Sequence, residues 1–525
     1  MKFIKAVTGL SVAVMAAFGA VTLLPSCGEA SSTANKLIIL HTNDTHSQID
    51  PTGDNLGGLL RRAAAIDSVR NACENVLYVD AGDDVQGTLY FYLYGGRVEQ
   101  EALNLMGLDE GILGNHEFDN GIDSLASILA LRDRKLITSN YVTEGTPLDT
   151  LFIPYSVREV KGKKIGFMGI NLDPEGIIAE ECYAGLGFQP IVATANATAA
   201  KLRDEEGCDA VIAITHIGYN PAGLTGDSIL AINSRGIDVI IGGHSHDLID
   251  PNTPQGARRS RMTNLDGQEI LVTQTGKKGM KLGKIEIDLD SIGKGGRPHY
   301  ELIDIDSRFD GKASAEMVAL RDKYYPGVDS LMHLWIGSTE HELDDSSDEL
   351  LNFFADYVLD RSREFATNVD FSVVNKGGLR ASIPAGNFSK GHIINMVPFR
   401  NYITVLDVKG SDLIEIFKVM ASTEGNGVSG NVRAAYCPVE DGFELAGLPT
   451  INGKPISASR TYRVATIDYL AKGGDYMKNF RNGIKVADSG SWIYDDLIEY
   501  FTNGKGKDKP LTGSAESRWT LVNNQ

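Results

Sequence analysis

Five short clusters in this chain combine residues able to hold a cation: Asp44-Thr45-His46, Ala81-Gly82-Asp83, Gly114-Asn115-His116, Thr215-His216 and Gly242-Gly243-His244-Ser245-His246. Half of the ten histidines fall inside them, each just after an apolar run. A lone histidine at a strand end is ordinarily a satisfied core or loop residue. Five such ends, several beside glycines that let the backbone turn sharply toward a shared centre, describe a site. The donors are imidazole nitrogen, carboxylate oxygen and one amide oxygen. That mixture suits Zn²⁺, Mn²⁺, Co²⁺ or Fe²⁺ and not an all-oxygen calcium cage. The set is too large for one tetrahedral ion and fits two ions sharing a bridge. Two ions ~4 Å apart can hold a bridging hydroxide for in-line attack on phosphorus. There is no GxSxG and no Walker loop, so no covalent nucleophile is evident.

The elements that must position these clusters follow from the hydrophobic pattern. From Lys36 to about Asp290, the runs LIILH, VLYVDAG, GILGN, KLITSN, KIGFMGI, AVIAITH, DVIIGGH and EILVTQTG read as buried strands. NLGGLLRRAAAIDSVR and ATANATAAKLRDEEG between them read as helices. Polar residues at strand ends are where α/β folds place their sites. A Gly/Lys-rich break, GKGGRPH, precedes a helix expected over Ser314–Tyr325, which Pro326-Gly327 should stop. A second α/β segment follows, with helices at ELLNFFADYVLDR and SDLIEIFKVMA and strands at FSVVN, YITVLDV and YRVATI.

Length and charge bound the rest. At 525 residues the chain should hold two or three domains. Its net charge of −19 excludes a nucleic-acid polymer as partner, though not a small anion in a local positive site. Lys2 and Lys5 precede an apolar run from Ala6 to Leu24, and Leu24-Pro25-Ser26-Cys27 closes it. This is the pattern of a secretory signal. Its Leu-x-Ser-Cys ending resembles a bacterial lipobox, which makes Cys27 the expected lipidated first residue of an outer-membrane lipoprotein. The only membrane contact expected is that lipid anchor, because no later run is long and apolar enough to span. Cys73, Cys182, Cys208 and Cys437 show no metal-type spacing, and an exported protein can pair some of them.

The blocks HTNDTH, DAGDDVQGT, GNHEFDNG, THIGY and GGHSHD together resemble those of the calcineurin-like metallophosphoesterases, closest to the bacterial and animal 5'-nucleotidase family. The resemblance implies a four-layer α/β-β-α sandwich over residues 36–300. Before it come a signal peptide (1–26) and a tether (27–35); after it come a connector (301–341) and a smaller α/β nucleotide-binding domain (342–525). By position, Asp44, His46 and His246 would hold one ion. Asn115, His216 and His244 would hold the other, with Asp83 bridging in preference to Asp80 or Asp84. His116 would be catalytic, acting on the phosphate or leaving oxygen, with Asp119 fixing its tautomer; Glu117 and Phe118 would be structural. His41, inside a strand, reads as core.

The second domain carries three more blocks of the same family: NKGGLR, VPF and DYLAKGGD. They imply that Phe399 and Tyr469 sandwich a base, Asp475 binds the ribose, and Asn375 and Arg380 bind the phosphate. Three departures stand out. A further phosphate-binding Arg is common near DDSSDELLNFF but absent there, with Arg361 and Arg363 only downstream. Lys376 replaces a usual glycine, and Tyr476 follows Gly-Gly-Asp where a small residue is usual. The implied activity is an exported, two-metal 5'-nucleotidase acting by metal-bridged hydroxide. The alternatives are a UDP-sugar or 2',3'-cyclic nucleotide hydrolase, or a non-catalytic nucleotide-binding lipoprotein. Splitting metals from base clamp requires domain closure, with a hinge expected near Pro326-Gly327.

Overall fold

Two sheets packed face to face carry the five clusters. In this computed structural model residues 34–221, 224–292, 296–439 and 442–522 are described; the signal segment and Cys27 lie outside them. One sheet runs in the order His299–Asp304, Lys281–Asp288, Lys36–Thr42, Val76–Asp80, Glu110–Gly111. The other runs Arg261–Thr263, Glu269–Thr273, Val239–Ile241, Ala210–His216, Lys163–Asn171, Tyr155–Val160. The inner strands are parallel, so their carboxyl ends, and the clusters after them, emerge on one edge.

Strand alternation explains the layers. In Lys36–Thr42, Leu37 and Ile39 enter the core between the sheets, while Ile38 and Leu40 face outward onto helix Leu59–Ala72. In Ala210–His216, Ile212 and Ile214 face inward, and Val211 and Ala213 pack with Ala195, Ala199 and Leu230 of the opposite helical layer. Each fully buried Leu or Ile contributes about 2 kcal/mol of burial free energy. The result is the four-layer α/β-β-α sandwich followed by a smaller α/β domain. That domain's main sheet runs Gly427–Val428, Phe371–Val374, Thr461–Ile467, Ile403–Lys409, Ile484–Asp488.

Several expectations need correction. Strand His299–Asp304 pairs antiparallel with Lys281–Asp288, so the first sheet runs past the boundary expected at residue 300. GILGN forms only a two-residue ladder, Glu110–Gly111, because the chain then bends into the site; KLITSN likewise pairs only at Leu136–Ile137. Helix Ala315–Met332 continues through Pro326, so Pro326-Gly327 does not stop it as expected. Proline removes the helical bond to the Asp322 carbonyl there, and a tertiary contact braces the same turn. The Tyr94 hydroxyl donates to the Tyr324 carbonyl at 2.7 Å, and a Cβ on Gly327 would lie 2.3 Å from that hydroxyl. Cys182, Cys208 and Cys437 are thiols, not disulfides.

Candidate metal centre and substrate cleft

The five strand-end loops converge. Asp44, His46 and His246 bring one ligand atom each within 4.8 Å of one another, as do Asp83, His216 and His244; His46, Asp83 and His116 form a third such group that links the two. Asp83 thus belongs to two groups. Asp80 and Asp84 are otherwise engaged, the first accepting from the Gly82 amide (2.8 Å) and Thr42 hydroxyl, the second paired with buried Arg132 at 2.9 Å.

Close backbone approach makes this convergence possible. A Cβ on Gly82 would lie 2.4 Å from the Gly114 nitrogen, and one on Gly114 would lie 2.1 Å from Asp83 Oδ1, so neither glycine can be replaced without displacing a candidate ligand loop. Asp44, His46, Asp83, His244 and His246 all take left-handed backbone conformations, with φ between 48° and 80°. Such geometry costs about 1–3 kcal/mol per residue and clusters at functional sites. Buried Glu117 clamps the loops: its carboxylate accepts from the amides of Asp83 (3.1 Å), Asp84 (2.8 Å) and Gly114 (2.5 Å). Its expected structural role is this one, in a form the sequence did not specify.

The donor atoms fit divalent ions. His216 Nδ1 donates to the Ala81 carbonyl at 2.7 Å, leaving Nε2 fully buried, without a hydrogen-bond partner and 3.2 Å from Asp83 Oδ2. His46 Nε2 and His246 Nε2 face each other at 2.9 Å, 3.9 and 3.6 Å from Asp44 Oδ1. Two imidazole lone pairs at that distance repel unless a proton or cation lies between them. Asn115 Oδ1 lies 2.8 Å from His244 Nδ1. Burial holds His46 and His246 well below the usual histidine range and His244 at about 3, which keeps these imidazoles neutral, as ligands must be. Burial opposes charge on Asp83 too, but His216 and His116 outweigh it and hold the carboxylate well below its usual range.

His116 sits beside this centre. Its amide donates to Asp83 Oδ1 (2.9 Å) and its Nδ1 lies 3.0 Å from Asp119 Oδ2, which leaves Nε2 as the uncommitted ring nitrogen. Burial opposes a charged ring, yet Asp119 and Asp83 prevail and the His116 pKa is raised.

A cleft of about 320 Å³ joins the centre to the second domain. Asp83, Asn115, His116, Asp119, His244 and His246 line it from one side, Asn375, Arg380, Phe399, Tyr469 and Asp475 from the other. The Phe399 ring lies 5.8 Å from that of His116, and the Arg380 guanidinium lies 6.0 Å from the Phe399 centroid. Asp475 accepts from Asn375 Nδ2 and lies 2.8 Å from the Tyr469 hydroxyl. Phe399 and Tyr469 of the second domain and the ligand-bearing loops of the first therefore line one cleft. Phe91, Tyr92, Ile177, Ile178, Cys182 and Lys472 also line it; no motif marked them. Cys182 is no thiolate nucleophile, since burial and Glu181 push its thiol to about 11.

The departures also find places. Arg361 pairs with Asp496 and Glu364, Arg363 with Asp360, and neither lines the cleft. DDSSDELLNFF forms a helix start in which the Ser347 hydroxyl caps Leu350 and acidic residues occupy the first turn, favoured by the helix dipole. The Lys376 ammonium donates to the Glu424 carbonyl. His41 is fully buried core, stacked on Tyr300 at 5.8 Å.

Residues 37–248 match the calcineurin-like phosphoesterase family and residues 332–482 the 5'-nucleotidase C-terminal domain, in that order. The chain belongs to the 5'-nucleotidase family. This 5'-nucleotidase-family chain is 27% identical to rat 5'-nucleotidase over 92% of its own length and 90% of that protein's. It is 26% identical to the Bacillus subtilis trifunctional nucleotide phosphoesterase protein YfkN, over 92% of its length but only 36% of that longer protein. The crystal structure of a Thermus thermophilus 5'-nucleotidase precursor superposes with a TM-score of 0.81 at 27% identity, covering 93% of this chain and all of that one. The protein is accordingly a metal-dependent phosphoester hydrolase. No helix among the described residues is long and apolar enough to cross a membrane.

Proposed function

We propose that this enzyme is an exported, two-metal 5'-nucleotidase that hydrolyses nucleoside 5'-monophosphates to nucleoside and phosphate. The observation that carries the reading is the shared cleft, in which metal-type ligands, an arginine and aromatic rings from two domains face one volume.

Asp44, His46 and His246 would hold one ion, and Asn115, His216 and His244 the other, with Asp83 between them. When bound, the ions supply Lewis-acid polarisation and neutralise charge on the phosphoryl group. Arg380, which has no ion pair among the described residues, offers its donor fork to phosphate oxygens, assisted by Asn375. His116, whose protonated form Asp119 favours, donates from Nε2 to a phosphate or leaving-group oxygen, stabilising charge as the ester bond breaks. Phe399 stacks on the base with Tyr469 on the other side, and Asp475 accepts from ribose hydroxyls. Enclosing the site excludes bulk water around these groups.

Phosphate release from AMP, UDP-glucose and 2',3'-cyclic AMP under the same metal loading tests the reading. AMP should be turned over fastest by kcat/KM. Preference for either other substrate would transfer the assignment to a nucleotide-sugar or cyclic-nucleotide hydrolase, and nucleotide binding without turnover would leave a binding lipoprotein. Export rests on the Lys2-to-Cys27 pattern. Metabolic labelling with a fatty acid should mark the wild type and not Cys27→Ser.

A further inference from the structure

Tyr476 departs from the small residue usual after Gly-Gly-Asp, and it faces the other domain. Its amide donates to the Gly176 carbonyl at 3.1 Å, and a Cβ on Gly176, whose φ is 89°, would lie 3.0 Å from the Tyr476 ring. Tyr476 and its neighbour Asp475 both hold left-handed conformations, with φ of 60° and 50°. Backbone strain of this kind persists where surrounding contacts enforce it.

Gly176 belongs to the segment Asp173-Pro174-Glu175-Gly176-Ile177-Ile178-Ala179-Glu180-Glu181-Cys182 of the metal domain. The segment is preformed on that domain. The amides of Ile177 and Ile178 donate back to the Pro174 carbonyl (3.2 and 2.9 Å), and the Ile178 side chain is buried among Leu113, Phe118 and Tyr141. Its outer face docks on residues 469–481 of the second domain. Glu175 meets Lys478 at 3.0 Å and Arg481 at 4.0 Å, Glu181 pairs with Lys472, and the Ile177 carbonyl lies 3.0 Å from the Tyr469 hydroxyl. The ion pairs are solvent-exposed and individually weak. The half-buried Tyr476–Gly176 contact is the steric part of the junction.

This junction borders the same cleft as the candidate metal ligands. Ile177, Ile178, Ala179, Glu181 and Cys182 line the same volume as Phe399, Tyr469 and Asp475. We propose that segment 173–182, held in place by Tyr476, is a wall that closes the nucleoside end of the cleft and limits the leaving group to a single nucleoside. This rests on the nucleotidase reading above and adds what that reading leaves open, the upper size of the substrate. Residues of the metal domain, not only the base clamp, then decide which phosphomonoesters are enclosed.

The single Tyr469 hydroxyl proton lies between two acceptors, Asp475 Oδ1 at 2.8 Å and the Ile177 carbonyl at 3.0 Å.

The test compares three phosphomonoesters on the metal-loaded full chain: AMP, a 5'-phosphorylated dinucleotide, whose leaving group is twice the size, and p-nitrophenyl phosphate, which has no nucleoside. Wild type should favour AMP over the dinucleotide by about 100-fold or more in kcat/KM, within the range that pocket shape gives. Tyr476→Gly relieves the left-handed backbone while removing the steric contact. Glu175→Lys, at an exposed position, sets like charges against Lys478 and Arg481 without touching the clamp. Each should narrow the ratio by about 10-fold or more, with p-nitrophenyl phosphate turnover unchanged. A wild-type enzyme that accepts both nucleotides equally, or a ratio unmoved in both variants, overturns the wall. Failure on AMP with p-nitrophenyl phosphate still cleaved overturns the nucleotide reading beneath it.

Discussion

The imidazole of His116 bridges the two halves of the site: its Nδ1 lies 3.0 Å from Asp119 Oδ2 in the metal domain, and its ring lies 5.8 Å from Phe399 in the other. On the proposed mechanism a residue so placed acts on substrate and not on metal retention. His116→Ala should keep both ions, measured by elemental analysis, while kcat for AMP falls about 100-fold or more. Loss of an ion in that variant would make His116 a ligand.

The sign of a pH effect follows from the same pair. Burial favours the neutral ring, but Asp119 and Asp83 win and raise the His116 pKa. The protonated form is therefore retained to higher pH, and activity that needs it is lost as pH rises through that raised value. Asp119→Asn removes one of the raising carboxylates. The alkaline limb of the kcat profile should move to lower pH, and an unmoved limb would assign it to another group.

Asp83 belongs to two of the three donor groups. Asp83→Asn keeps the shape and removes the charge, so it should release at least one ion and lower kcat/KM by more than ~100-fold. Full metal content in this variant would show that Asp83 bridges nothing.

Phe399 lines the cleft, and the proposed mechanism gives it a stacking face and no metal contact. Phe399→Ala should cost about 1–3 kcal/mol with AMP, a fall of roughly 5- to 150-fold in kcat/KM, and leave p-nitrophenyl phosphate turnover nearly intact. Equal losses on both substrates would place the ring in the catalytic step.

His41 supplies a stability prediction independent of catalysis. It is fully buried, both ring nitrogens lack hydrogen-bond partners among the described residues, and burial lowers its pKa from 6.5 to about 3. Because the folded value lies below the unfolded one, the unfolded chain binds the extra proton between about pH 6.5 and 3, and stability falls as pH is lowered through that window. The slope is about 1.4 kcal/mol per pH unit for one group. Urea unfolding of metal-free protein between pH 6.5 and 4.5 should show a flatter decline for His41→Leu than for wild type.

The candidate metal loops were legible in the sequence because each places a ligand-type side chain just after an apolar run, several of them beside a glycine. Much of the remaining site arises from tertiary contact that no local pattern encodes. Glu117 looks like any loop glutamate until its carboxylate meets three amides. Pro326 reads as a helix stop, yet Tyr94, far away in sequence, supports the turn around it. Segment 173–182 has no motif at all, and its role depends on Tyr476, some three hundred residues later. Tyr476 itself was legible only as an anomaly.

The central claim is that two divalent ions held by Asp44, His46, Asp83, Asn115, His216, His244 and His246 enable AMP hydrolysis. The most direct measurement titrates Mn²⁺ or Zn²⁺ into chelator-stripped protein while following both bound metal and phosphate release from AMP. The account predicts no turnover in the stripped protein and activity that saturates at two ions per chain. Two bound ions without AMP hydrolysis, or full activity in the stripped protein, would contradict it.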